Sequence, residues 1–380
     1  MIGSALTMQT QATTSSATSS AKTKVMVVDD SLVIRGVLRR VVESDSDLEL
    51  VRTVCNGQEA IDALRQDPSI DVVVLDIEMP VLDGIATLPE LLKIKPKLII
   101  IMASTLTLRN ADISLKCLAL GAKDYVPKPE STATGGAFEV FKKDLISKIK
   151  ALSPKPILSS ASQSQFSIPV KNYTLRPMLR QKPQAIAIGC STGGPQALAI
   201  VLKDLASKVD QPIFIAQHMP ASFTKMLAEH LTRVSGTTVK EGEDGEMVHN
   251  KTIYIAPGDF HMEVVDVKGV PHIRLTKDAP ENFCRPSVNP LFRTVAKTYK
   301  GRVLGVMLTG MGSDGLDGAK ALIQEGGAMI AQDEKTSTVW GMPKAIIMSD
   351  LASSVLPLDK FNTAIEKLSR SMTPSFEVLT

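Results

Sequence analysis

The chain contains little cysteine, carries little net charge and lacks a long hydrophobic run. Its 380 residues include four cysteines, Cys55, Cys117, Cys190 and Cys284, and none belongs to a Cys-x-x-Cys pair. This spacing predicts neither a zinc site nor a disulfide framework, and it favours reduced thiols in a cytosol. The first residues lack the basic start and apolar segment of a signal peptide, and no later apolar run approaches the roughly 18 residues of a membrane span. We therefore expect a cytoplasmic protein without direct membrane insertion.

The charges are nearly balanced, with 43 Lys and Arg against 40 Asp and Glu and a net charge of +3. A charge this small for the length gives no electrostatic reason to expect nucleic acid or an anionic membrane as partner. Hydrophobic residues make up 44% and charged residues 22%, which is typical of soluble globular proteins. At about 100–200 residues per domain, the length predicts two or three domains.

The N-terminal half begins with a polar segment and continues as an α/β pattern. Residues 1–22 are rich in Ser, Thr, Ala and Gln, which predicts a disordered tail. Short apolar runs then alternate with amphipathic stretches, so residues 23–150 are predicted to form a doubly wound parallel-sheet domain. The strand candidates are residues 24–30, 48–54, 70–77, 97–104 and 122–128.

A second α/β pattern follows a segment with linker composition. Residues 151–182 mix Pro, Ser, Gln and basic residues with little periodicity, as linkers do. Residues 183–375 again alternate apolar runs with helical stretches, which predicts a second doubly wound parallel sheet. Its strand candidates are residues 185–190, 212–217, 252–257, 302–309 and 328–333.

Acidic side chains follow two strands of the first predicted sheet. Asp29 and Asp30 come after the first strand and Asp76 after the third, and the carboxyl ends of parallel strands meet at one edge. Three carboxylates suit Mg²⁺, beside which Asp76 could attack phosphorus. Lys128 and Ser104 follow later strands and could contact a phosphoryl group. The alternative is that the acids only cap a helix and that Lys128 lies in an ordinary loop.

Together these residues resemble the response-regulator receiver family over residues 24–150. The resemblance rests on VVDDS at 27–31, LDIEMPVLDG at 75–84, MAST at 102–105 and YVPKP at 125–129. It implies a flavodoxin-like fold in which Asp76 accepts the phosphoryl group. It also implies three further roles: Mg²⁺ binding by Asp29, Asp30 and Asp76, phosphoryl contacts by Ser104 and Lys128, and an aromatic switch at Tyr125.

The second predicted domain offers a nucleophile in GCSTGG at 189–194. Ser191 stands between a buried strand and a helix in Gly-x-Ser-x-Gly spacing, which allows a sharp turn that exposes the hydroxyl. Backbone N–H groups of the glycine-rich turn, at Thr192, Gly193 and Gly194, could hold a developing oxyanion. The alternatives are a helix cap by Ser191 or Thr192, or a phosphate-binding loop.

A serine nucleophile needs a base and an orienting acid. His218 directly follows a strand and so lies at the same sheet edge as Ser191, whereas His230 falls inside a predicted helix. Asp314 and Asp317 both follow the strand at 302–309, and spacing alone does not choose between them, since either could cap the next helix. The order Ser, His, Asp differs from the Ser, Asp, His order of α/β-hydrolases, which argues against an ordinary lipase or esterase.

Residues from about 183 to 370 resemble the catalytic domain of chemotaxis protein-glutamate methylesterases. The matching blocks are GCSTGGP at 189–195, QHMP at 217–220, IAPGDFHM at 255–262, FCRPSV at 283–288, LTGMGSDG at 308–315 and AQDEKTSTVWGMP at 331–343. The resemblance implies that Ser191 is the nucleophile, His218 the base and Asp314 the acid, with Met311 near the oxyanion and Asp317 left as a helix cap. Two departures from the family pattern are Cys190 and the pair Asn289-Pro290.

The combined resemblance implies a Rossmann-like serine esterase controlled by a receiver. It implies removal of methyl groups from glutamate methyl esters of chemoreceptors, deamidation of receptor glutamines, and phosphotransfer from a chemotaxis histidine kinase. Mg²⁺ is expected in the receiver, and no cofactor in the esterase. Two rival interpretations are a phosphorylation-controlled DNA-binding module, which predicts a helix-turn-helix, and a nucleotide-binding domain that uses STGGP to hold phosphate.

Overall fold

The computed structural model of the chain describes residues 22–129, 136–153, 173–205 and 208–370. The predicted tail at residues 1–22 lies outside the described residues except for Lys22, as do residues 154–172 of the predicted linker. Two parallel sheets are present in the described part, one in each predicted α/β unit. None of the described helices combines the length and the apolar character needed to cross a bilayer.

The first unit is a five-stranded parallel sheet with strand order β2-β1-β3-β4-β5. Its elements are β1 (Thr23–Val28), α1 (Leu32–Glu43), β2 (Leu48–Val54), α2 (Gly57–Gln66), β3 (Val72–Asp76), α3 (Gly84–Ile94), β4 (Ile99–Ser104), α4 (Leu108–Leu120), β5 (Asp124–Pro127) and α5 (Gly136–Leu152). This is the flavodoxin-like order, in which β1 and β3 flank the point where the direction of winding changes. The predicted fold class is confirmed for this unit.

Sequence features at the strand ends explain why the elements begin and end where they do. Every residue of β3 and β4 is buried, as expected for central parallel strands covered on both faces. Ser31 caps α1 because its hydroxyl accepts a hydrogen bond from the N–H of Ile34 at 3.4 Å. Asp83 caps α3 by accepting from the N–H of Ala86 at 2.8 Å. These caps start the helices immediately beyond the carboxyl edge of the sheet.

The second unit is a seven-stranded parallel sheet with order β14-β13-β12-β6-β7-β9-β8, beside a separate hairpin of β10 and β11. Its strands are β6 (Ala185–Cys190), β7 (Ile213–Gln217), β8 (Val239–Glu241), β9 (Ile253–Ile255), β10 (His261–Val267), β11 (Val270–Thr276), β12 (Val303–Met307), β13 (Ala328–Gln332) and β14 (Ser354–Leu356). Its helices are α6 (Gly194–Leu202), α7 (Ala221–Ser235), α8 (Val288–Thr298), α9 (Leu316–Gln324), α10 (Met342–Met348) and α11 (Phe361–Arg370). The predicted doubly wound fold is confirmed here as well.

The five strands predicted for this unit all form, but the structure adds four. The strands β8 and β14 are short, with the sequences VKE and SVL, and neither contains a continuous apolar run of the length of IYI in β9. The hairpin β10–β11 turns at Lys268-Gly269, where both residues have positive φ, 55° and 88°. Type I′ two-residue turns require this backbone conformation at both central residues. Lysine rarely adopts a positive φ, so only Gly269 marked the turn in the sequence.

The chain packs on the second unit before β6 begins. Met178 and Leu179 are buried, and the N–H of Arg176 donates to the carbonyl of Ala352 at 2.8 Å. The end of the predicted linker therefore contacts the sheet region that follows it. The predicted domain boundaries themselves stay a prediction.

The two units contact each other through β5 and α4 of the first and α6 and α7 of the second. The rings of Tyr125 and Phe223 stack with centroids 4.2 Å apart and planes 7° from parallel. Gln196 Nε2 donates to the carbonyl of Ala122 at 3.2 Å. Since one buried hydrophobic cluster includes residues of both units, the first unit packs against the second as part of a continuous core.

Candidate active site and phosphoryl pocket

The acids after β1 and β3 converge at the carboxyl edge of the first sheet. Asp29, Asp30 and Asp76 place carboxylate oxygens within 4.8 Å of one another. Asp29 and Asp76 are buried, whereas Asp30 is exposed, so the cluster has a side that water can reach. Oxygen donors of this kind, with room for water ligands, fit Mg²⁺. The acidic residues singled out in the sequence therefore lie together and suit the ion.

Lys128 supplies the positive charge of this pocket. Its ammonium lies 2.7 Å from Asp29 Oδ2 and 2.7 Å from Asp76 Oδ1. Burial raises the pKa of Asp76 to about 6, although the charge of Lys128 opposes that rise. Burial also acts to lower the pKa of Lys128, but the two carboxylates outweigh it and raise that pKa. A fixed cation therefore stands beside the predicted phosphoacceptor.

Ser104 and Tyr125 are placed differently with respect to this pocket. The hydroxyl of Ser104 is buried and lies near the carbonyl oxygens of Thr105 and Asn110, at 3.2 and 3.5 Å. Its contact with a phosphoryl group stays a prediction. Tyr125 is buried against the second unit, where it stacks on Phe223. The predicted switch residue is thus an interface residue in this structure.

The second site lies at the carboxyl ends of three neighbouring strands, β12, β6 and β7. Ser191 directly follows β6, His218 directly follows β7, and Asp314 lies in the loop after β12. The winding direction of the sheet changes between β6 and β12, which is where open α/β sheets form their crevice. The topology therefore brings all three predicted triad residues to one edge.

Hydrogen bonds and close packing fix the turn that carries Ser191. Its N–H donates to the carbonyl of Thr309 at 3.0 Å, and its carbonyl accepts from Gln217 Nε2 at 3.0 Å. Gly193 has a φ of 77°, which a side chain would strain. A Cβ on Gly310 would lie 2.9 Å from Ser191 Cβ, so only glycine fits there. The turn is held from both adjacent strands.

Asp314 is the acid that contacts His218 in this geometry. Its Oδ2 lies 2.7 Å from His218 Nε2 and accepts from the N–H of Val288 at 2.7 Å. Its Oδ1 accepts from Ser287 Oγ at 2.7 Å and from Asn282 Nδ2 at 3.0 Å. Burial acts to raise the pKa of Asp314, but these hydrogen bonds outweigh burial and lower it to about 2. The carboxylate is therefore ionised at neutral pH. The proton shared by Asp314 Oδ2 and His218 Nε2 accordingly resides on Nε2.

This arrangement leaves Nδ1 as the basic nitrogen of His218. Burial acts to lower the pKa of His218, but the hydrogen bond to the carboxylate of Asp314 raises it overall. Cys284 Sγ lies 3.4 Å from Nδ1. Among the described residues, no hydrogen bond joins Ser191 Oγ to His218. Catalytic hydrogen bonds often tighten only when substrate binds, so the geometry is compatible with a resting enzyme.

The predicted oxyanion groups do not all offer a free amide. The N–H of Gly194 donates to the carbonyl of Ser191 at 2.7 Å and is engaged within the turn. Within the described ranges, the N–H groups of Thr192, Gly193 and Met311 make no hydrogen bond. These amides are the better candidates, and an oxyanion role for Gly194 would require the turn to open.

Asp317 does not cap α9, contrary to the sequence interpretation. The N-cap of α9 is Gly315, and Asp317 lies one residue past the first helical position. Its carboxylate pairs with Lys320 at 2.8 Å across one helical turn. Asp317 is therefore a surface residue of the helix, which leaves Asp314 as the acid that contacts His218.

The sequence assigned no role to Asp124, Asn282 and Ser287, which contact residues of the site. Thr192 Oγ1 donates at 2.8 Å to Asp124 of the first unit. Asp124 is buried, which raises its pKa, and the ammonium of Lys148 opposes this at 3.7 Å. Asn282, just before the FCRPSV block, and Ser287, within that block, both donate to Asp314. No periodicity marks these residues, because their contacts depend on how the loop and the two units fold together.

Both parts of the chain resemble known proteins. Residues 25–135 match the model described as response regulator receiver domain, and residues 186–365 match the model described as CheB methylesterase. A protein-glutamate methylesterase/protein-glutamine glutaminase of Azospirillum brasilense is 50% identical over 366 residues, covering 90% of this chain and 92% of that protein. A Rhodospirillum centenum protein described as protein-glutamate methylesterase/protein-glutamine glutaminase of group 2 operon is 48% identical over 370 residues, covering 91% of this chain and 93% of that protein. The crystal structure of the Thermotoga maritima CheB methylesterase catalytic domain is 41% identical with a TM-score of 0.48, covering 49% of this chain and 99% of that one.

Proposed function

The chain belongs to the family of protein-glutamate methylesterases/protein-glutamine glutaminases with a receiver domain, and from this we propose a serine esterase mechanism for it. The enzyme removes methyl groups from glutamate methyl esters, deamidates glutamines, and is regulated by phosphorylation in chemotaxis adaptation. We assign Ser191, His218 and Asp314 to the hydrolysis. The observation that carries this assignment is the 2.7 Å contact between His218 and Asp314 at the strand edge shared with Ser191.

The proposed hydrolysis proceeds through an acyl-enzyme. Ser191 Oγ attacks the side-chain ester carbonyl while His218 Nδ1 takes the hydroxyl proton, and the carboxylate of Asp314 stabilises the resulting imidazolium. The amides of Thr192 and Met311 hold the oxyanion. The imidazolium protonates the leaving methoxide, so methanol departs. Water activated by the same nitrogen then frees the glutamate carboxylate. With a glutamine substrate the leaving group is ammonia.

The proposed phosphorylation takes place in residues 23–150, which we assign to the receiver, while residues 183–375 form the catalytic domain. Asp76 is the nucleophile toward a phosphoryl group from a chemotaxis histidine kinase. Asp29, Asp30 and Asp76 would hold Mg²⁺, and the ion would supply positive charge against the phosphoryl group. Lys128 contributes a further positive charge, and Ser104 contacts the phosphoryl group. The substrates are methylated chemoreceptors, and the proposed compartment is the cytoplasm, which free thiols suit.

The contacts between the units support a route from phosphorylation to hydrolysis. Strand β5 carries Asp124, which accepts from Thr192 beside the nucleophile, and Tyr125, which stacks on Phe223. Lys128 follows the same strand and contacts Asp76. We infer that the unphosphorylated receiver restrains the esterase site and that phosphorylation shifts the population toward an open form.

Replacing Asp76 with Asn tests the receiver assignment. We expect Asp76→Asn to keep the basal rate of methanol release and to lose its stimulation by a small phosphodonor with Mg²⁺, because the amide cannot form the acyl phosphate. Methanol release from methylated receptors, with and without phosphodonor, measures both rates. Asp62→Asn, an exposed acid of α2, should respond as the wild type does. Undiminished stimulation of Asp76→Asn would refute the assignment.

Replacing Asp124 with Asn tests the restraint. The Asn side chain can accept a hydrogen bond from Thr192, but it carries no negative charge to pair with the ammonium of Lys148. The contact between the unphosphorylated receiver and the esterase unit should therefore weaken. A hydrogen bond to a charged group contributes about 1.5 kcal/mol or more, which predicts a basal rate raised about tenfold, up to the phosphorylated limit. Asp144→Asn is the control, because Asp144 contacts Lys148 at 3.1 Å within the receiver. Equal basal rates in both variants would count against the restraint.

A further inference from the structure

His261 joins the two ends of a loop beside the esterase site. It is the first residue of β10, and 1% of its surface is exposed. Its Nδ1 lies 3.2 Å from the N–H of Ser287, and its Nε2 lies 3.2 Å from the carbonyl oxygen of Ala279. We name residues 279–287, which lie between β11 and α8, the acid loop. Both nitrogens of one buried ring therefore contact its ends.

The acid loop supplies much of the surroundings of Asp314 and His218. Asn282 and Ser287 both donate to Asp314 Oδ1. Cys284 lies 3.4 Å from His218 Nδ1. Since Asp314 orients His218 through Oδ2, a displacement of the loop would change the position of the acid and of the base together.

The backbone of the acid loop needs support from outside. Asn282 and Phe283 have φ values of 50° and 64°, in the left-handed region that non-glycine residues rarely adopt. Phe283 is 89% exposed and so has little packing of its own. Besides His261, the guanidinium of Arg293 pairs with Glu281 at 3.0 Å. Strained backbone persists only where its surroundings hold it in place.

The hydrogen bonds define the state of the His261 ring. The N–H of Ser287 can only donate, so Nδ1 must present a lone pair, and the carbonyl of Ala279 can only accept, so Nε2 must carry the proton. We propose that His261 is a positioning residue of the esterase, whose neutral ring fixes both ends of the acid loop and thereby the orientation of Asp314 toward His218. This proposal rests on the triad proposed above.

Two variants of unequal severity test the proposal. His261→Ala removes both ring contacts, and because a misplacement of about 1 Å can cost about 100-fold in rate, we expect kcat to fall about 10- to 100-fold with KM changed less than about twofold. His261→Asn keeps an acceptor near the position of Nδ1, so its kcat should fall between those of His261→Ala and the wild type. His272→Ala in the same hairpin should retain the wild-type kcat, because His272 contacts the carbonyl of Val270 and no residue of the acid loop.

A spectroscopic readout separates this proposal from the proposed function. The proton between His218 and Asp314 should give a far-downfield proton resonance in the wild type, absent in Asp314→Asn. We expect His261→Ala to shift or broaden it while receiver phosphorylation and the melting transition remain. An unchanged resonance in His261→Ala, or a kcat within twofold of the wild type, would overturn the proposal. Wild-type protein with the resonance but no esterase activity would instead refute the proposed function.

Discussion

Ser191→Ala should lower kcat for methanol release by at least about 10⁴-fold, because the acyl-enzyme cannot form without the hydroxyl. The change removes one atom from a residue whose N–H and carbonyl are held by Thr309 and Gln217. The turn should therefore keep its shape. Methanol release from methylated receptors, measured with phosphodonor present, gives the rate. Receiver phosphorylation should remain at the wild-type level, which shows that the loss is confined to the esterase.

A nearby serine provides the matched control for this variant. Ser313 lies beside Asp314, its side chain is exposed, and none of the described hydrogen bonds uses its hydroxyl. Ser313→Ala should therefore hydrolyse at the wild-type rate. Retained activity in Ser191→Ala would show that another group is the nucleophile, and loss of activity in Ser313→Ala would direct the search to the loop after β12.

The residues at strand ends were predictable because two simple rules place them. Apolar runs mark buried parallel strands, and the carboxyl ends of such strands meet at one edge. These rules predicted the grouping of Asp29 with Asp76 and of Ser191 with His218, and the structure brings each pair to one edge. The catalytic and phosphoryl-transfer roles of these residues stay predictions.

These rules could not decide whether Asp314 or Asp317 is the acid that contacts His218. Both follow the same strand, three positions apart, and only the fold of the acid loop decides between them. Asp314 faces donors from that loop, whereas Asp317 lies on the surface of α9. The role of Asp124 was equally hidden, because its partner Thr192 belongs to the other unit. Local sequence carries no signal for a contact that arises when two folded units meet.

The position of β5 suggests why phosphorylation can act at a distance within this chain. Asp124 and Tyr125 of this strand contact the second unit, and Lys128 just beyond it contacts Asp76. A small displacement of Lys128 would therefore act on a short segment that also contacts Thr192. Because coupling needs two discrete arrangements of one element, the prediction for Asp124→Asn addresses this segment directly.

Asp314→Asn should lower kcat for methanol release nearly as much as Ser191→Ala does, although the Asp and Asn side chains have the same shape. All four groups that contact the carboxylate are donors: His218 Nε2–H, Val288 N–H, Ser287 O–H and Asn282 N–H. An amide turns one of its two acceptors into a donor, so at least one donor is left without a partner or His218 adopts the other tautomer. The equivalent change in a serine triad costs about 10⁴-fold in kcat. Methanol release measured against Ser191→Ala gives the comparison.

The same substitution should remove a pH-dependent contribution to stability. The pKa of Asp314 in the folded protein is about 2, below the value of about 3.9 in an unfolded chain. The ionised carboxylate therefore stabilises the fold fully above about pH 4, by roughly 2 to 3 kcal/mol, and this contribution is lost as pH falls toward the folded pKa. Urea unfolding at pH 7 and near pH 3 should show that the wild type loses about half of this advantage over Asp314→Asn at the lower pH. An equal difference at both pH values would mean that the carboxylate is not held as described, and the loss of activity would then need another cause.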